Sequence, residues 1–119
     1  MPTALLLENE PLIAMDIELA LQDAGFDVTS IMSSVEAGGW LESHSPDVAI
    51  VDIELRDGPC HLIVEMLAAR GVPFLVHSAD LPPMHEGTAF AKGTWLNKPT
   101  DSDEIARAAQ VALQPRVSA

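Results

Sequence analysis

Val48-Ala49-Ile50-Val51-Asp52-Ile53-Glu54-Leu55-Arg56-Asp57-Gly58 is the stretch on which the fold turns. Its first four residues are apolar and mostly β-branched, and they are entered from Ser45-Pro46. A run that short reads as a strand buried on both faces. Asp52 stands at its C-terminal edge, where open parallel sheets place ligands and chemistry. Two other apolar runs end on polar groups that can meet it: Ala4-Leu5-Leu6-Leu7 stops at Glu8-Asn9-Glu10, and Trp95-Leu96-Asn97 stops at Lys98-Pro99. An acidic turn, a single Asp and a Lys on neighbouring strand tips make a metal-assisted phosphoryl-acceptor site.

Outward from that strand, apolar runs alternate with helical patterns, which predicts an α/β fold around a parallel sheet. Thr3 to Leu7 is the first strand. Pro11 opens a helix at the position where its missing N–H costs nothing, with Ile13, Ile17, Ala20 and Ala24 inward and Gly25 as the stop. Phe26 to Ile31 is a weaker second strand. Ser33 or Ser34 caps a second helix through Glu42, weakened by Gly38-Gly39 at about 1 kcal/mol per Gly. Pro59 is read as opening a third helix that stops at Gly71, and Val72 to His77 as the fourth strand.

The next crossover breaks the pattern. Asp80-Leu81-Pro82-Pro83-Met84-His85-Glu86-Gly87 has paired prolines and no apolar period, so a loop or single turn is expected there, with a short helical piece near Ala89-Phe90-Ala91. Thr94 to Leu96 is the fifth strand. A last helix is capped near Asp101 or Ser102 and turns Ile105, Ala108, Ala109 and Ala112 inward. Residues 114–119 read as a frayed tail on a single domain, 1–119.

Composition sets outer bounds. The chain of 119 residues is 48% hydrophobic, with three Phe, two Trp and no Tyr, so its core rests on aliphatic side chains. Eighteen acids against six bases give a net charge of −12, which repels a phosphate backbone and argues against nucleic acid as partner. One cysteine, Cys60, excludes an intrachain disulfide and fits a reducing cytoplasm. No apolar stretch reaches membrane-span length, and no signal peptide is apparent. Cys60 and the histidines His44, His61, His77 and His85 lack metal-ligand spacing; His77, beside Ser78, reads as a packed or surface imidazole.

With these residues placed, the whole chain resembles a response-regulator receiver domain of two-component signalling. The resemblance rests on Glu8-Asn9-Glu10-Pro11 as the acidic metal-binding turn, Asp52 as phosphoacceptor, and Ser78 as the small hydroxyl residue ending the fourth strand. It rests also on Lys98-Pro99 as the lysine and following proline, whose peptide is typically cis, and on Trp95 at the aromatic switch position. It implies a flavodoxin-like doubly wound sheet of five parallel strands in order 2-1-3-4-5, here with a degenerate fourth helix.

The resemblance also implies that Asp52 takes a phosphoryl group from a histidine kinase or histidine phosphotransfer protein. Glu8, Asn9, Asp52 and the backbone carbonyl of Glu54 are the implied Mg²⁺ ligands, with Lys98 and Ser78 contacting phosphoryl oxygens. Asn9 departs from the family, which usually has an aspartate there, so weak Mg²⁺ binding is expected. Nothing after Leu113 reads as an output domain, so a stand-alone receiver with an unidentified protein target is expected, its homodimerisation left open.

Three rivals remain. A degenerate receiver acting without phosphorylation is favoured by Asn9 and opposed by Asp52, Ser78 and Lys98. An aspartyl-nucleophile phosphatase wants an acid two residues after the nucleophile, where Glu54 stands, but also a cap domain. A flavin carrier conflicts with the acidic first turn, which repels phosphate.

Overall fold

The computed structural model describes residues 1–114. Five strands, β1 (Thr3–Leu7), β2 (Asp27–Ile31), β3 (Val48–Val51), β4 (Phe74–Ser78) and β5 (Thr94–Asn97), form one parallel sheet in the order β2-β1-β3-β4-β5. This is the expected 2-1-3-4-5 arrangement. Four helices flank it: α1 (Pro11–Asp23), α2 (Ser34–Leu41), α3 (His61–Ala69) and α4 (Ser102–Leu113).

Strand alternation divides the core. Ala4, Leu6, Val48, Ile50 and Leu75 pack on one face with α1 and α4 through Ile17, Leu21, Ile105 and Ala109. Leu5, Leu7, Ala49, Val51, Phe74 and Val76 pack on the other with α2 and α3 through Leu41, Ile63, Val64 and Leu67. Central strands covered on both faces have no polar face, which is why Val48 to Val51 carries none in its sequence.

Local signals act where the sequence places them. Pro11 opens α1, and Gly25, at φ 98°, ends the turn after it. The buried stripe of α1 is Ala14, Ile17 and Leu21, with the expected Ile13, Ala20 and Ala24 at its margins. Ser33 caps α2 by accepting from the Glu36 N–H at 3.2 Å, and Asp101 caps α4. Gly93 lets the chain enter β5 against Phe74, whose ring would lie 2.5 Å from a Cβ there.

Two expectations are corrected. Pro59 does not open α3: with Gly58 it pairs antiparallel to Glu54–Leu55 in a two-residue hairpin. Helix α3 therefore starts at His61, and Cys60 is its N-cap rather than a helical residue. Asp57 at the hairpin tip explains the difference, because its carboxylate accepts from the Ser34 and Val35 N–H groups at 2.8 and 3.1 Å and anchors the loop to the start of α2. Those bonds hold the exposed Asp57 carboxyl below its ordinary pKa. Also, β4 spans Phe74–Ser78 rather than Val72 to His77, and β5 runs through Asn97.

The degenerate crossover is as expected. Two 3₁₀ turns, Pro82–His85 and Ala89–Lys92, stand in place of a helix between β4 and β5, with Phe90 buried beneath them. Of the expected frayed tail, residues 115–119 lie outside the described residues.

Candidate functional site

The strand register assembles the site. β1 pairs Leu7 with Val51, and β3 pairs Val51 with Val76. One residue further along, Glu8, Asp52 and His77 follow on three adjacent strands. Alternation puts them on the α1/α4 face, as it does Lys98 two residues after Leu96. Ser78 and Trp95 have the opposite parity and belong to the α2/α3 face, where Trp95 packs against the core.

Lys98 is the hub. Its Nζ lies 3.1 Å from Asp52 Oδ2, 3.3 Å from Glu8 Oε1 and 3.8 Å from Glu10 Oε1. The Glu8 side chain is only 1% exposed, and its other oxygen, Oε2, accepts the Asn9 and Glu10 N–H groups at 2.9 and 3.1 Å. Burial, followed by the neighbouring Glu8, raises the Asp52 pKa from 3.8 to about 6, against the opposing pull of Lys98. Burial alone pulls the Lys98 ammonium down, but its contacts with Asp52 and Glu8 outweigh that and leave its pKa above the ordinary value. Two crowded carboxylates thus share one cation.

On the other face, Ser78 is buried and its hydroxyl accepts from the Asp80 N–H at 3.0 Å. The Asp80 carbonyl accepts from Trp95 Nε1 at 3.1 Å and Asn97 Nδ2 at 3.3 Å, while its carboxylate meets His85 Nε2 at 2.8 Å. The His85 ring lies 5.7 Å from that of Trp95 and 5.5 Å from that of Phe90. Cys60 closes the floor, its thiol donating to the Asp52 carbonyl at 3.4 Å; burial pushes that thiol up to about 12, so it stays neutral. The Lys98–Pro99 peptide is cis.

Residues 4–110 match the family model for the response regulator receiver domain. The chain belongs to the response-regulator receiver family. The transcriptional regulatory protein PhoP of Escherichia coli K12 is 38% identical over 114 residues, covering 92% of this chain and 51% of PhoP. The chain thus spans about half the length of the curated relatives it matches. The Francisella response regulator 1452 receiver domain superposes with a TM-score of 0.80 at 20% identity, over 95% of this chain and 97% of that one. The receiver domain of the Pseudomonas aeruginosa sensor histidine kinase PA1611, whose crystal structure has magnesium in the active site cleft, does so at 0.80 and 23%, over 94% and 97%. At such identities the likeness shows the shared fold.

Within this receiver, Glu8, Asp52 and Lys98 meet directly, and Ser78 ends the neighbouring strand. Asn9 is exposed and contributes its backbone N–H to Glu8. Glu54 opens the hairpin two residues past Asp52 with its side chain exposed. Among the described residues no three His, Cys, Asp or Glu side chains gather into a metal-holding group. The donors on hand are hard oxygens, two of them crowded carboxylates that a cation relieves, and they fit Mg²⁺ with retained waters.

His77, expected as a packed or surface imidazole, is packed. Its side chain is 3% exposed, neither ring nitrogen has a hydrogen-bond partner, and Nδ1 lies 3.8 Å from Glu8 Oε1. Burial, then the Lys98 charge, depresses its pKa, so the ring is neutral. Its strand parity with Asp52 was the available signal.

Proposed function

We propose that this receiver accepts a phosphoryl group from a phosphohistidine donor on Asp52 and signals by a changed affinity for a protein partner. The observation that carries the reading is the contact of Lys98 with both Asp52 and Glu8 at the C-terminal edge of the sheet. At pH 7 Asp52 is largely ionised despite its raised pKa, and a carboxylate oxygen can attack phosphorus. As the new O–P bond forms, the donor's N–P bond breaks and the electron pair leaves with its imidazole. The Lys98 ammonium offsets charge on the transferred oxygens, and the Ser78 hydroxyl can donate to one of them after turning from Asp80. Mg²⁺, held by Glu8, Asp52, the Glu54 carbonyl and the Asn9 amide, would add charge neutralisation. At most the domain catalyses its own phosphorylation and dephosphorylation.

The donor must bring its phosphoimidazole over Asp52, so its own helix has to rest beside the site. Helix α1 begins immediately after Glu10 and exposes Leu12, Met15 and Leu19 by 78%, 59% and 58%. That i, i+3, i+7 stripe is an apolar face fitted to a helix of a histidine kinase or phosphotransfer protein. No described helix is long and apolar enough to cross a membrane. The free, buried Cys60 accords with a cytoplasmic setting.

Intact mass after incubation with a small phosphodonor and Mg²⁺ tests the reading. The wild type should gain one phosphoryl group and Asp52→Ala none; equal labelling of both would sink the assignment. A second reading, a receiver that binds partners without phosphorylation, is favoured by the exposed Asn9 in the acidic turn, where an amide stands in place of a third acid. Absence of any mass gain, with partner binding retained in Asp52→Ala, would support it.

A further inference from the structure

A cleft of about 170 Å³ opens between α1 and the start of α4, lined by Ile13, Asp16, Ile17, Lys98, Pro99 and Ser102. Its walls are mainly the apolar surfaces of the two isoleucines and the proline. A cavity of about 150 Å³ holds a benzene-sized group, so this one has room for a single side chain. The cleft adjoins the exposed stripe of Leu12, Met15 and Leu19, because Asp16 on its wall follows Leu12 by one helical turn.

The surface around it carries one sign of charge. Helix α1 has Asp16, Glu18 and Asp23 and no base, and the first turn of α4 adds Asp103 and Glu104. Arg107 is the one base of the two helices. Asp16 and Asp23 follow Leu12 and Leu19 by four residues, and Glu18 follows Met15 by three, so acids border the stripe on both sides.

We propose that this face binds an amphipathic helix with basic flanks, one of whose arginine or lysine side chains lays its aliphatic stem in the cleft and its charged head on Asp16. Those side chains join an apolar body to a cationic tip, which matches apolar walls with a carboxylate beside them. The same charges turn other occupants away. A second copy brings a net charge of −12 and the same acidic borders, and an acidic helix is repelled likewise. Identifying the helix as the phosphohistidine donor's rests on the phosphoacceptor reading of Asp52. On that reading, α1 selects among donors by the charge beside their apolar contact positions.

Two synthetic peptides of about 18 residues, long enough to hold a helix, test the surface. They share a leucine stripe at i, i+3 and i+7 and differ in their flanks, arginine in one and glutamate in the other. Each is titrated into the protein at low salt and followed by amide NMR shifts. The arginine peptide should bind at least about tenfold more tightly, with shifts centred on α1 and the start of α4. Asp16→Asn should weaken it about fivefold, and Ser102→Leu, which fills the cleft, should weaken it as well. Glu65→Gln, at an exposed position of α3, should leave its affinity unchanged. Equal affinity for the two peptides, equal losses from Asp16→Asn and Glu65→Gln, or shifts centred elsewhere would overturn the inference. Self-association in sedimentation that Leu12→Ser abolishes would give the face to a second copy and overturn it too. Uptake of a phosphoryl group by wild type from a small phosphodonor is read in parallel. Peptide selectivity lost with uptake intact overturns the docking surface alone. Selectivity intact without uptake overturns the phosphoacceptor reading and leaves the surface standing.

Discussion

The two corners of the site, on opposite faces of one sheet, are held by different physics. On the α1/α4 face, Glu8, Asp52 and Lys98 form a charge-dense group in which one ammonium serves two crowded carboxylates. On the α2/α3 face, Ser78, Asp80, Trp95 and His85 form a chain of hydrogen bonds in which the Asp80 carbonyl alone accepts two donors. The first corner responds to any added charge, and the second to a change in who bonds to whom. Ser78 stands between them, its hydroxyl accepting from the Asp80 N–H. Under the proposed phosphorylation of Asp52, a turn of that hydroxyl toward Asp52 would release the Asp80 N–H, and a local electrostatic event would become a shift between two packings.

The sharpest way to break that contrast is to remove the shared cation. Lys98→Met should destabilise the protein by about 3 kcal/mol at pH 7 in urea unfolding, since buried carboxylates lose their partner. A change below about 0.5 kcal/mol would mean the charged corner is not held by its ion pairs.

Next comes the proton on Asp52. Its pKa rises from 3.8 to about 6, so the folded state holds the proton more tightly and stability falls as pH rises between those values. Asp52→Asn should therefore stabilise the metal-free protein by about 2 kcal/mol at pH 7 and by nothing near pH 4. A gain independent of pH would place its origin outside this titration. The hydrogen-bonded corner supplies the control, because Trp95→Phe should show no such pH window.

A smaller effect is expected at the cation site. Asn9→Asp should tighten Mg²⁺ binding by about tenfold, or about 1.4 kcal/mol, and speed labelling from a small phosphodonor. Unchanged titration curves would show that residue 9 does not reach the metal. The smallest change is at Trp95. Trp95→Phe removes the donor to the Asp80 carbonyl and should cost about 1 kcal/mol, since Asn97 still bonds there. In a Trp40→Phe background, beryllofluoride with Mg²⁺ should alter Trp95 fluorescence; constant emission and quencher access with the mimic bound would separate the two corners.

Periodicity and punctuation determined much of this protein on their own. The apolar run Val48 to Val51, Pro11 and Gly25 around α1, and the prolines at 82 and 83 carry their meaning locally, through burial, missing N–H groups and backbone freedom. They made the alternating fold and the helix-free crossover between β4 and β5 legible, and the polar residues ending three strands pointed to the site. Other features depended on contacts between distant segments. Pro59 follows helix-start chemistry in sequence, yet the Asp57 carboxylate on the α2 N–H groups holds its segment as a hairpin. His77 reads locally as an ordinary imidazole in a strand. Only the register of three adjacent strands places it beside Glu8, buried and without a partner, because pairing across a parallel sheet is set by the packing of the whole core.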